Sequence, residues 1–127
     1  MLKANPVVWF EIYVEDLERA KKFYETVFDT KLGEIPTPEG GSLQMLSFSI
    51  QMEGEGSSGA LVKMEGYEPS GSGTIVYFSS PDCAVEESRV EAAGGKVFKP
   101  KMSIGEYGFI SLFIDTEGNI VGIHSQN

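Results

Sequence analysis

The sequence predicts an α+β domain built from two halves with the same order of elements: strand, helix, three strands. Three observations lead there. Two segments carry the apolar period of an amphipathic helix, each opened by an aspartate. The other apolar segments are short, rich in aromatic and β-branched residues, and separated by Gly- and Pro-containing turns. Placing Asp82 on Asp16, an offset of 66, also sets Glu91 on Glu25 and Ile75-Val76-Tyr77-Phe78 on Trp9-Phe10-Glu11-Ile12. The chain then divides into module 1 over residues 5–66, a linker over 67–72 and module 2 over 73–127.

Module 1 opens with a strand over Val7–Val14. Asp16 caps a helix running to Phe28, since its carboxylate can accept the free N–H groups of the first turn. Leu17, Ala20, Phe23, Tyr24, Val27 and Phe28 form one apolar stripe, with Lys21 and Lys22 solvated beside Glu18 and Glu25. Strands follow over Leu43–Ile50 and Ala60–Met64, divided by Pro38-Glu39-Gly40-Gly41 and by Gly54-Glu55-Gly56-Ser57-Ser58-Gly59. Glu68-Pro69-Ser70-Gly71-Ser72-Gly73 reads as linker. Module 2 repeats the order: a strand over Thr74–Ser80, a helix from Asp82 to Ala93 stopped by Gly94-Gly95, and strands over Lys96–Lys101, Phe109–Ile114 and Ile120–His124. Aligning the last strands at an offset of 59 sets Gly118-Asn119-Ile120-Val121-Gly122-Ile123 on Gly59-Ala60-Leu61-Val62-Lys63-Met64.

Composition narrows the function. With 10 Lys and Arg against 19 Asp and Glu in 127 residues, the formal charge is −9, and 41% of residues are hydrophobic. A packed core is expected, whereas the basic footprint of nucleic-acid or anionic-membrane binding is missing. No apolar run reaches the ~20 residues of a membrane span. Met1-Leu2-Lys3-Ala4-Asn5-Pro6 has no signal-peptide character, and a cytoplasmic setting is expected. Cys83 and His124 are each alone, so neither a disulfide nor a Cys–His zinc cluster can form within the chain. Cys83 falls in the apolar stripe of the second helix and reads as a buried structural thiol, although a first-turn position can also acidify a thiol. The Gly-x-Gly stretches do not open a helix after a strand, so they make a poor phosphate cradle.

Strand alternation gives each strand two faces. Phe10, Ile12 and Val14 suit the helix side, leaving Trp9, Glu11 and Tyr13 opposite. Val76 and Phe78 likewise leave Ile75, Tyr77 and Ser79 on the open face. Leu61 and Lys63 share a face, as do Ile120, Gly122 and His124. In the penultimate strand Ile110, Leu112 and Ile114 are expected under the helix, with Phe109, Ser111 and Phe113 joining the open face. The expected pocket is part-polar and suits an organic ligand. Trp9, Tyr13, Tyr77, Phe109 and Phe113 form its walls, Ser111 adds a hydroxyl, and Glu11, Lys63 and His124 supply acid, base and imidazole. The same aromatics could instead pack against one another or a dimer partner. Glu11 stands out because a carboxylate in an apolar strand is costly unless paired or functional. Desolvation would raise its pKa towards general-base use; the competing readings are an ion pair with Lys63 or an edge position in water. His124 is a second, weaker catalytic candidate, its alternative being a satisfied strand histidine.

These residues carry a family resemblance. Val7-Val8-Trp9-Phe10-Glu11-Ile12-Tyr13-Val14-Glu15-Asp16-Leu17-Glu18-Arg19-Ala20, followed by Phe23-Tyr24 and Phe28, resembles the opening of a vicinal-oxygen-chelate domain, the superfamily of glyoxalase I, bleomycin-resistance proteins and extradiol dioxygenases. In the second half Val90 to Val97, Gly105-Glu106-Tyr107-Gly108-Phe109 and the closing Asp115-Thr116-Glu117-Gly118-Asn119 motif resemble it too. The resemblance implies two tandem βαβββ modules forming one eight-stranded, cup-like sheet with a helix packed on each module, and commonly a homodimer. Metal enzymes of this superfamily hold a divalent ion in the cup with His and Glu from the first and last strand of each module. The corresponding positions here are Trp9, Lys63, Ile75 and Gly122, none of which can serve as such a ligand. The chain is most similar to glyoxalase-like members lacking that ligand set, which implies no cofactor and Trp9 in the space of the metal, near Glu11, Tyr77 and Lys63. The expected function is therefore binding of a small organic ligand without the metal. A metal-dependent glyoxalase-type lyase or isomerase using Glu11 and His124, and a dimeric interaction module, are the alternatives.

Overall fold

The computed structural model describes residues 5, 7–37, 40–51, 53–71 and 73–127. Parts of three sequence readings lie outside these residues: Met1–Ala4 and Pro6 of the N-terminus, Pro38-Glu39 of the first turn and Ser72 of the linker. The elements in chain order are β1 (Phe10–Tyr13), α1 (Leu17–Phe28), β2 (Gly33–Glu34), β3 (Gln44–Ser47), β4 (Gly59–Lys63), β5 (Tyr77–Ser79), α2 (Cys83–Val90), β6 (Lys96–Ser103), a 3-10 turn (Gly105–Tyr107), β7 (Phe109–Ile114) and β8 (Ile120–Ser125). This is the twofold βαβββ order. The eight strands among the described residues hydrogen-bond as two four-stranded sheets, β1-β4-β3-β2 and β5-β8-β7-β6. In each, the strand before the helix lies parallel to the last strand of its module and antiparallel pairs complete the sheet.

Both helices start where their aspartates can cap them. The Asp16 side chain accepts from Arg19 N at 3.0 Å and the Asp82 side chain from Ala84 N at 3.0 Å. α1 buries the expected stripe of Ala20, Phe23, Tyr24 and Val27. α2 is shorter than the pattern suggests, ending at Val90 with Glu91 as its C-cap. The chain then turns through Gly94 at φ +104°, and Gly95 N bonds to the Val90 carbonyl at 3.0 Å. A Cβ on Gly95 would sit 2.6 Å from both the Ile114 carbonyl and the Phe23 ring, so the second glycine lets this turn press onto the sheet. Cys83 is fully buried and its backbone N–H donates to Ser125 Oγ at 3.0 Å, which fits the structural reading of its thiol.

One continuous core serves both modules. It joins Phe23, Tyr24 and Val27 of α1 with Ile12, Leu61, Phe113, Val121 and Ile123. Tyr24 and Phe28 stack at 6.2 Å, Phe28 and Phe78 at 4.4 Å, and Phe23 lies 5.5 Å from Phe113. Each such aromatic contributes roughly 1.5–3 kcal/mol through burial alone.

The core corrects the expected facing of β7. In the antiparallel β7–β8 ladder Ser111 pairs with Ile123 and Phe113 with Val121, so all four point to the helices. Phe109, Ser111 and Phe113 therefore lie on the helix side, and Ile110, Leu112 and Ile114 on the open one. Both alternations of Phe-Ile-Ser-Leu-Phe-Ile are apolar, so periodicity cannot choose between them. The larger volume decides, because Phe113 fills the gap beneath α1. The buried Ser111 hydroxyl is satisfied by donating to Glu87 Oε1 at 2.9 Å, with the Lys99 carbonyl 3.2 Å away.

β4 brings a second correction. Parallel register sets Ile12 beside Leu61, and both are core residues. Lys63, two residues on, therefore lies on the helix-side face at the strand end, opposite to Glu11. The sheets match Ala60 with Gly122 and Val62 with His124, an offset of 62 rather than 59. A slip by an odd number of residues exchanges the faces of a strand.

Candidate functional site

β1 builds the open face of module 1. Glu11 is exposed, and its carboxylate is held by the side chains two residues to either side of it. Trp9 Nε1–H donates to Glu11 Oε2 at 3.2 Å and the Tyr13 hydroxyl donates to Glu11 Oε1 at 2.7 Å. Strand geometry makes this clamp local, since residues at i−2, i and i+2 project on one side. The Tyr13 ring stacks on Tyr67 at 5.2 Å with 19° between planes. The Glu11 hydrogen bond, aided by partial burial and the nearby negative charge, pushes the Tyr13 phenol up to about 12, so it stays a neutral donor. The desolvation expected of Glu11 is not there, and neither is an ion pair with Lys63, which lies on the other face.

A cleft of about 190 Å³ opens beside the clamp, between the two modules. Its walls are Glu11, Ile12 and Tyr13 of β1, Glu68–Ser70 of the linker, Thr74 and Val76 ahead of β5, and Asn119, Ile120 and Val121 at the start of β8. Lys63 lines a separate concavity with Glu15, Gln44 and Tyr67, and Glu68 belongs to both. Glu68 and Asn119 are thus site residues that periodicity did not single out. The Pro-Gly composition of the linker is read as spacer, and Asn119 as part of a turn.

Asn119 belongs to the joint that holds this arrangement. Its Nδ2 donates to the Tyr13 carbonyl at 2.9 Å and to Asp115 Oδ2 at 3.1 Å, while its Oδ1 accepts from Ser70 N at 3.0 Å. Asp115 also accepts from the buried Tyr24 hydroxyl at 2.7 Å and, through Oδ1, from Glu117 N and Asn119 N at 2.8 and 2.9 Å. Burial, then the Asp115 charge and hydrogen bond, push the Tyr24 phenol well above its ordinary range. Glu117 reaches across to the start of α1. Its carboxylate accepts from the N–H groups of Glu15 and Asp16 at 3.0 and 2.9 Å and from Arg19 Nε and Nη2 at 2.7 and 2.9 Å. Burial acts to raise the Glu117 pKa, but the guanidinium and the N–H donors outweigh it and hold the group at about 2. The closing Asp-x-x-Gly-Asn motif is thus the tie between linker, β1 and module 2.

The other expected site residues separate. Tyr77 is on the open face as expected, 46% exposed, and its ring lies against Gly122, where a Cβ would collide with it. His124 also shares the open face, but its Nε2 lies 2.7 Å from the Tyr107 carbonyl, outside the cleft that Glu11 lines. Since a carbonyl only accepts, that nitrogen carries the hydrogen. Phe109, Ser111 and Phe113 do not reach the open face at all, and the Phe109 ring lies beneath Lys101 Nζ at 4.7 Å.

The residues present do not fit the superfamily's metal. Trp9 and Ile75 carry no ligand atom for it, Gly122 has no side chain, and register replaces Lys63 by Ala60 as the counterpart of Gly122. Among the described residues no three His, Cys, Asp or Glu side chains are placed to share an ion. Among the same residues no helix is long and apolar enough to cross a membrane.

Comparison with known proteins agrees with this fold. A family model described as bleomycin resistance protein-like N-terminal matches residues 7–39. A Mycobacterium tuberculosis (strain CDC 1551 / Oshkosh) protein named "Putative glyoxylase CFP32" is 29% identical over 121 residues, covering 94% of this chain and 45% of that protein. The chain thus spans about half the length of the curated relatives it matches. Glyoxalase I from Zea mays superposes with a TM-score of 0.71 at 22% identity, over 95% of this chain and 46% of that one. A glyoxylase/bleomycin resistance protein/dioxygenase domain from Frankia sp. EAN1pec gives 0.71 at 18% identity, over 98% and 100%. At these identities the solved structures speak for the fold. The sequence matches point the same way, so the chain is similar in fold and in part of its sequence to members of the vicinal-oxygen-chelate superfamily. The likeness is to glyoxalase-related and bleomycin-resistance-like proteins.

Proposed function

We propose that the protein binds a small organic molecule at the inter-module cleft of its open face, without the divalent ion that metal enzymes of that superfamily use. The observation that carries this reading is the Glu11 carboxylate, aligned by Trp9 and Tyr13 at the cleft mouth. A surface glutamate in a strand ordinarily moves among rotamers, and ordering it costs entropy. A carboxylate fixed at both oxygens is a pre-organised acceptor whose ordering cost is met before a ligand arrives. Part-exposed Val76 and Ile120 supply apolar lining, and the backbone beneath is fixed by Asn119.

The test is a thermal-shift and fluorescence screen of metabolites and aromatic antibiotics, with and without chelator. The chain has a single tryptophan, and that residue touches Glu11, so its emission reports on the site directly. Ligands that raise Tm, alter Trp9 emission and are weakened by Glu11→Gln in chelator are the expected result. A screen without one such ligand counts against binding. Stoichiometric Ni, Zn, Mn or Fe in protein purified without chelator would overturn the metal-free part.

A further inference from the structure

We propose that the cleft selects ligands through an ammonium group carried on a short apolar stem, a ligand class that rests on the binding reading above. The charged residues lining the cleft are Glu11 and Glu68, both exposed, alongside the polar Tyr13, Ser70, Thr74 and Asn119. Among the described residues no Lys, Arg or His lines the cleft. Each Glu11 oxygen already accepts one hydrogen bond, and a carboxylate oxygen has room for a second. The clamp therefore leaves an acceptor edge and keeps the carboxylate from folding away.

Part-exposed Ile120 and Val76 add apolar lining. A volume of about 190 Å³ suits a stem of a few carbons and not a large ring system. Glu68 also edges the neighbouring concavity, where Glu15 and Glu65 add negative charge against the single Lys63. The field along this edge of a chain carrying −9 therefore favours an incoming cation and opposes a carboxylate. The Tyr13 phenol, held protonated, adds no charge of its own and presents oxygen lone pairs to a donor.

The experiment titrates the full chain with n-butylammonium and n-butyltrimethylammonium chloride, at ionic strength matched with sodium chloride, reading Trp9 emission and Tm. Sodium butyrate and 1-butanol are the controls. A saturable response to the ammonium probes is expected, with a much weaker one to either control. Glu11→Gln and Glu68→Gln should each weaken it about threefold to tenfold. Lys63→Gln should not weaken it. The inference is overturned if butyrate or butanol binds as tightly, if the response follows ionic strength alone, or if both glutamate variants bind the probes like the parent chain. A neutral ligand from the wider screen that depends on Glu11, beside silent ammonium probes, sinks the ammonium class and leaves the binding function standing. Silence from every class sinks both.

Discussion

Replacing Glu117 by glutamine perturbs the joint between the modules without changing its shape. The side chain is fully buried against Arg19, whose own side chain is 49% exposed. Folding lowers the Glu117 pKa from 4.5 to about 2, a separation worth about 3 kcal/mol. Solvent screening of the half-exposed guanidinium reduces this to about 2 kcal/mol. The introduced glutamine can still accept from the Glu15 and Asp16 N–H groups, but its amide turns two donor hydrogens towards Arg19. Urea unfolding at neutral pH should therefore show Glu117→Gln about 2–3 kcal/mol less stable than the parent chain. The pH dependence gives the sharper check. Because the folded value lies below the unfolded one, the stabilisation is complete above pH 4.5 and is lost as pH falls towards 2. By pH 3 the deficit of the variant should have shrunk by roughly three-fifths. A deficit below about 0.5 kcal/mol at pH 7, or one that stays constant down to pH 3, would refute the assignment of Glu117 as a charged tie.

Three further outcomes test other parts of the structure. Phe113→Ala should destabilise by about 3–5 kcal/mol in the same unfolding assay, because a core cavity opens beneath α1; a loss under about 1 kcal/mol would return Phe113 to the open face. Asn119→Ala removes the donor to the Tyr13 carbonyl and the acceptor for Ser70 N, and should cost about 2–3 kcal/mol, since both groups lose a partner. It should also weaken whatever the cleft binds, and unchanged binding in a folded variant would free the clamp from its support. Glu11→Gln should change stability by less than about 1 kcal/mol, yet bring the Tyr13 phenol down from about 12 towards 10. Alkaline absorbance titration reads this, and an unshifted tyrosine would separate Glu11 from Tyr13.

The fold was legible because its signals were redundant. Asp16 and Asp82 each announce a helix start, the Phe23-Tyr24 stripe has one possible partner, and the glycine turns fall between the strands. The open face was legible on β1, β5 and β8, where Glu11, Ser79 and the Gly122–His124 alternation interrupt the apolar run and fix the phase. β7 offers two apolar faces, and the buried Ser111 misleads because its hydroxyl partner, Glu87, lies on another element. The displacement of Lys63 comes from matching the last strands by their glycines, whereas hydrogen-bond register follows the core residues Leu61 and Ile123. Asn119 and Glu68 meet Glu11 only through long-range folding, and no local period carries that information.

The ties that join the modules leave the open face to its own chemistry. Asp115, Glu117 and Asn119 hold backbone groups and Arg19, while Trp9, Ile75 and Tyr77 stay partly exposed. Frame and lining are in this sense free to change separately. A change of occupant at position 9 or 75 alters which molecules the face can meet while the joint stays closed. A histidine introduced at either place would ask of this scaffold a new chemistry without asking for a new architecture.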